Sequence, residues 1–176
     1  DYSPVKLSKH PMKLVTYQTP QSSPRVGALQ GETVVDLAAA HAAAGGHSPF
    51  PTTLQTLLEA GEAGLALAHA ALVYASQHPG KYDLPMGSAT LLAPLPRPGK
   101  IICLGRNYAA HAKEGGAEVL EYPILFIKPA TSVIGTGATI VVPPSTTKPD
   151  YEAELAVVIG RTCKDVDEAH ALAYVA

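Results

Sequence analysis

The stretch "KPDYEAELAVVIG", residues 148–160, sets Glu152 and Glu154 at the entrance of a run that is otherwise apolar. A strand turns successive side chains to opposite faces, so residues two apart share a face with Cβ atoms roughly 7 Å apart. Both carboxylates therefore point the same way. Downstream, Leu155, Val157 and Ile159 fall on one face and Ala156 and Val158 on the other. An apolar pattern on both faces predicts a strand buried between neighbours, which calls for a sheet around it. Two anions side by side near a core repel each other and lose hydration unless a partner neutralises them. One such partner is a hard divalent cation, Mg²⁺ or Mn²⁺, held at about 2.0–2.2 Å. The other reading is an edge strand whose glutamates face water or pair with Lys148 or Arg161.

Upstream of this stretch the texture is the same. "KIICLG" (100–105), "ILFIKP" (124–129) and "SVIGTGATIVVP" (132–143) are short apolar runs, and such a series predicts a β-rich unit rather than a βαβ repeat. The "GTG" at 135–137 lacks the pattern of a phosphate loop and reads as a turn. "LLAPLPRPGK" (91–100) carries three prolines that break any regular element and mark a boundary. Before it, "MKLVTYQT" and "RVGALQGETVVDL" are β-branched runs, the second folded into a hairpin at Gln30-Gly31. Asp36 can cap an Ala-rich helix ending at Gly45-Gly46, and Thr53 a second one that Gly61 stops. A third helix is predicted over residues 62–77 with Leu65, Ala68, Leu72 and Ala75 facing the core. The expected class is α+β: a leader or natural extension over 1–11, a small α+β domain over 12–93, a Pro-rich linker over 94–100, and a β-rich domain from 101 to 176.

The composition is that of a globular protein. Of 176 residues 47% are apolar, the formal net charge is -2, and no basic patch suggests nucleic acid. The longest apolar stretch, "GLALAHAALVYA", is too short for a bilayer span of roughly 20 residues, so no membrane role is expected. Cys103 and Cys163 are the only cysteines, which make neither a disulfide framework nor a zinc cluster. A cytoplasmic protein is the expectation.

Directly after "KIICLG" comes "RNYAAHAKEGG". Asn107 is a good N-cap and Gly115 a good stop, and between them His111 and Glu114 lie three apart on one helical face. At that spacing a carboxylate can hold one imidazole nitrogen and leave the other free as a base on water; a surface ion pair would look the same. The order of features, an Arg-Asn-Tyr turn with HxxE, then "YPILFIKP", a proline-flanked loop and "DYEAELAVVIG", resembles the fumarylacetoacetate hydrolase family, particularly its acylpyruvase and oxaloacetate decarboxylase branches. The likeness runs from about Pro98 to Ala176, and the "VVDL" hairpin resembles that family's small N-terminal domain.

The resemblance implies a rolled β-sheet domain, incomplete in this chain, and a homodimer. It assigns Mg²⁺ or Mn²⁺, with Ca²⁺ as a substitute, to Glu152 and Glu154, and a water-activating dyad to His111 and Glu114. Arg106 and Lys128 become candidates for contacting the carboxylate of a small 2-oxo or 1,3-diketo acid. C–C bond hydrolysis is the expected reaction, with isomerisation or decarboxylation as alternatives and a non-catalytic scaffold as an alternative of another class. The family completes its metal site with an aspartate after a "YVAGY"-like segment, whereas this chain reaches Ala176 within "LAYVA". The expectation is therefore a fragment of a longer protein.

Overall fold

The computed structural model describes residues 12–108, 110 and 122–176; the expected leader, residues 1–11, lies outside them. Among the described residues seven strands and three α-helices follow one another: β1 (Leu14–Gln18), β2 (Arg25–Gln30), β3 (Thr33–Asp36), α1 (Leu37–Ala43), α2 (Leu54–Glu59), α3 (Gly61–Ser76), β4 (Asp83–Pro85), β5 (Thr90–Leu92), β6 (Ile101–Gly105) and β7 (Ile124–Lys128). The first five strands form one antiparallel sheet in the order β4-β3-β2-β1-β5, and β6 pairs with β7 in a separate ribbon. The architecture mixes helices with antiparallel strands, in keeping with the expected class.

Local chemistry sets the elements of the first sheet. Gln30 pairs with Thr33 across β2–β3, leaving Gly31 and Glu32 as a two-residue turn. Gly31 supplies the positive φ of +56° that this turn needs. Asp36 ends β3 and caps α1, its Oδ1 accepting the Ala39 N–H at 3.0 Å. It also pairs with Arg25 at 3.1 Å, so one carboxylate fixes the strand, the helix start and the neighbouring strand. Thr53 and Thr56 form the reciprocal cap of α2.

Val26, Ala28 and Val35 of the sheet bury against Leu37, Ala40, Leu54, Leu57, Ala68, Ala71 and Ala75 of the helices. A fully buried Leu57 alone contributes about 1.5–3 kcal/mol. Helix α3 meets the core with the residues expected of it, and Gly64 and Ala71 join them. Gly64, Ala68, Ala71 and Ala75 are buried, while Leu65 and Leu72 pack from the flanks. Gly64 marks a close approach: a Cβ there would lie 2.0 Å from the Leu57 carbonyl oxygen, so nothing larger than glycine fits against α2 at that position.

Beyond Leu95, which still packs on this core, the chain is laid out openly. All buried apolar side chains among the described residues fall between Tyr17 and Ala93. β6 and β7 pair over five residues from Ile101↔Lys128 to Gly105↔Ile124, and every residue of β7 is exposed. The expected strand over 132–143 is absent. A short 3₁₀ turn (Ala130–Ser132) precedes irregular chain, and the "GTG" forms the expected turn, with the Ala138 N–H donating to the Gly135 carbonyl at 3.1 Å. Gly135 passes close to β5, where a Cβ would meet the Leu92 Cα at 3.1 Å.

The buried strand expected over "ELAVVIG" also differs. The segment makes one isolated bridge, Ile159↔Val175, and leaves Leu155, Val157 and Ile159 exposed by 82%, 56% and 60%. A sequence apolar on both faces becomes a strand only when neighbours accept its ladder bonds and cover its sides, and no described strand lies beside residues 152–157.

Candidate metal-binding site

The β6–β7 ribbon positions the candidate residues. At one end, β6 closes on Gly105 and the chain turns through Arg106 with φ of +56°, an uncommon conformation for a side chain with a Cβ, into Asn107 and Tyr108. At the other end Lys128 finishes β7 opposite Ile101. Four residue steps of strand separate the ends, roughly 13 Å. Arg106 and Lys128 therefore stand at opposite ends of the ribbon.

Residues 152–155 connect these two ends. Glu152 Oε2 lies 3.9 Å from Lys128 Nζ, and three residues on the Leu155 N–H donates to the Tyr108 phenol oxygen at 3.0 Å. Tyr108, Tyr151, Glu152, Ala153 and Glu154 line one open pocket of about 170 Å³. The structure thus brings Glu152 and Glu154 to one pocket and sets Lys128 beside Glu152. Neither Lys148 nor Arg161 pairs with these carboxylates among the described residues; Arg161 instead donates to the Ala173 carbonyl and lies over the Tyr174 ring at 5.2 Å. Arg106 makes no ion pair among the described residues. His111 and Glu114 lie outside the described residues.

The electrostatics are those of a wet site. The Lys128 and Glu152 side chains are 49% and 58% exposed, so their attraction is screened and modest. No cluster of three His, Cys, Asp or Glu side chains able to hold a metal occurs among the described residues. Two carboxylates open to solvent on one pocket nonetheless fit a hard cation, because Mg²⁺ keeps several waters and takes one or two carboxylates. Nothing in this donor set suits a soft metal.

Tyr108 had not been singled out by sequence reasoning, although the Arg-Asn-Tyr turn had. A tyrosine after a strand end is as readily a rim aromatic as a tether, and only its bond to a residue 47 positions away distinguishes the two.

Comparison with known proteins gives a consistent picture. Residues 100–176 match the family described as "Fumarylacetoacetate (FAA) hydrolase C-terminal". A mitochondrial oxaloacetate tautomerase of Rattus norvegicus is 39% identical over 168 residues, covering 94% of this chain and 50% of the relative. The corresponding protein of Homo sapiens is 43% identical over 127 residues, covering 72% of this chain and 39% of its own length. The crystal structure of a maleylpyruvate hydrolase from Sphingobium sp. SYK-6, in complex with manganese(II) and pyruvate, superimposes with a TM-score of 0.67 at 26% identity, covering 93% of this chain and 55% of that one. The chain spans about half the length of the relatives it matches. No described helix is long and apolar enough to cross a membrane.

Proposed function

We propose that this chain, which belongs to the fumarylacetoacetate hydrolase family, supplies the metal-binding half of a divalent-cation-dependent enzyme acting on 2-oxo acids. The observation that carries the reading is the pocket shared by Glu152 and Glu154, with the Lys128 ammonium 3.9 Å from the first of them. Glu152 and Glu154 hold Mg²⁺ or Mn²⁺. A cation there supplies Lewis-acid stabilisation of the negative charge that develops when a 2-oxo acid enolises. Lys128 and, from the far end of the ribbon, Arg106 are the cations available to the carboxylates of a keto acid. His111, oriented by Glu114, takes and returns the proton at the adjacent carbon.

Two reactions can use this same base. Keto–enol tautomerisation of a dicarboxylic 2-oxo acid is favoured by the relatives, which are named oxaloacetate tautomerases at 39% and 43% identity. Hydrolysis of a C–C bond, in which His111 instead removes a proton from attacking water, is favoured by the likeness to maleylpyruvate hydrolase. Decarboxylation would draw on the same site.

A homodimer is part of the reading, supported by the apolar side chains that β6 and β7 leave exposed, Ile102, Leu125 and Ile127 among them. A reducing compartment, cytoplasmic or mitochondrial, suits a chain with two free cysteines.

The test is to assay the full-length protein with Mg²⁺ or Mn²⁺ against enol-oxaloacetate, an acylpyruvate, fumarylpyruvate and a homoprotocatechuate-pathway dienoate. Cation-dependent turnover of at least one, lost on chelation and restored by the metal, is expected. Absence of any Mn²⁺ binding by the full-length protein would overturn the reading and leave a non-catalytic scaffold.

A further inference from the structure

We infer that Tyr108 is a positioning residue for the carboxylate pair, its phenol oxygen holding the backbone of the Glu152–Leu155 segment against the turn that follows β6. The inference rests on the metal site proposed above. Residues 152–157 receive no backbone ladder bond from any other described residue. What ties them down is the Leu155 N–H bond to Tyr108 at 3.0 Å and the Lys128–Glu152 ion pair at 3.9 Å. The second is an exposed contact between two long side chains and fixes little. The first fixes a backbone amide directly after Glu154.

Two carboxylates on an untethered extended segment must surrender backbone freedom when they converge on one cation, and that ordering lowers affinity. A tether that removes the freedom beforehand raises it. Tyr108 is suited to the task because it also lines the pocket that Glu152 and Glu154 share. The tie has a second end: Tyr108 lies three residues before His111 in the sequence, so one hydrogen bond joins the polypeptide carrying the proposed base to the polypeptide carrying the proposed ligands. Tyr108 itself is 43% exposed, and the Leu155 amide regains water when the bond is lost, so the hydroxyl has little to do with global stability.

The experiment uses the full-length protein and the variants Tyr108→Phe and Tyr151→Phe. Tyr151 lines the same pocket, but its hydroxyl makes no hydrogen bond among the described residues. Mn²⁺ affinity is measured from the free-ion electron paramagnetic resonance signal, amide exchange at Leu155 by NMR, and the metal-free thermal midpoint alongside. Tyr108→Phe should raise the Mn²⁺ Kd about three- to tenfold, the scale of one net hydrogen bond. The same variant should speed Leu155 exchange and leave the midpoint unchanged, and Tyr151→Phe should match the wild type throughout. Unaltered affinity in Tyr108→Phe, an equal loss in Tyr151→Phe, or a loss that comes with a lowered midpoint would each overturn the inference. Failure of the wild type to bind Mn²⁺ would instead overturn the metal site itself.

Discussion

Replacing Lys128 with methionine should move metal affinity and substrate affinity in opposite directions. The Lys128 ammonium sits 3.9 Å from Glu152 Oε2. Unit charges at that distance attract by about 1 kcal/mol in water. Both heads are about half exposed, 49% and 58%, so screening and side-chain ordering reduce the net worth to about 0.2–1 kcal/mol. A cation arriving at Glu152 displaces this partner and meets its positive charge. Methionine keeps the length of the stem and removes both penalties, so Mn²⁺ affinity should rise roughly 1.4- to 5-fold at low salt. The difference should shrink as ionic strength is raised and the Debye length falls below about 8 Å. Pyruvate, a minimal 2-oxo acid, should bind the Mn²⁺-loaded variant more weakly, because the ammonium proposed to meet its carboxylate is gone. Lys128→Arg should retain wild-type behaviour on both counts more closely than Lys128→Met does. Titrating Mn²⁺ calorimetrically at two salt concentrations, followed by pyruvate, reads all of these values. An unchanged or lowered Mn²⁺ affinity in Lys128→Met at low salt would show that the ammonium does not compete for Glu152.

Glu152→Gln and Glu154→Gln should each lower Mn²⁺ affinity at least about tenfold, the lower bound even for groups outside the ligand set, with unchanged circular dichroism; wild-type affinity in both would make the glutamates purely structural. His111→Ala should keep metal binding and lower turnover by about a hundredfold or more in a steady-state assay, and loss of bound metal would instead make the imidazole a ligand. Gly64→Ala should destabilise the protein by up to about 2 kcal/mol in a urea melt, since crowding of the new methyl against the Leu57 carbonyl outweighs the gain of about 1 kcal/mol in helix propensity. Gly87→Ala, where a Cβ meets nothing within 4 Å, should not lower stability, and equal losses at the two positions would refute the close-approach argument.

The parts of the fold that the sequence announces are those governed by neighbours in the chain. The Gly31 turn, the Asp36 cap and the Thr53–Thr56 cap each need only residues within three positions, and all three form as expected. The core face of α3 was legible at Leu65, Ala68, Leu72 and Ala75 from helical spacing, whereas the approach of Gly64 to Leu57 was not, because it depends on a different helix. The two-sided apolar runs at 132–143 and 152–160 correctly signal a need for neighbours but cannot name them, so strand was expected where the described residues provide no partner. Partner choice at the site failed for the same reason. Lys148 and Arg161 are close to Glu152 in sequence, whereas Lys128 reaches it only through the β6–β7 ribbon. Glu152 and Glu154 line one pocket although the strand whose period of two was expected to bring them there does not form.

The confinement of the buried core to the stretch from Tyr17 to Ala93 has a bearing on biosynthesis. Every strand of the five-stranded sheet lies upstream of Ala93, so that unit has all its strand pairings as soon as β5 clears the ribosome. Residues 101–176 follow at about 5–20 residues per second, a delay of several seconds against folding steps that take milliseconds to seconds. Over that interval the nascent chain carries a folded head followed by the ribbon, with Leu125 and Ile127 uncovered, and then by the segment in which Leu155 and Val157 are uncovered. Chaperone capture of nascent chains should accordingly begin only after β7 has emerged, and chains halted once β5 has cleared the ribosome should already resist protease over the sheet and its helices.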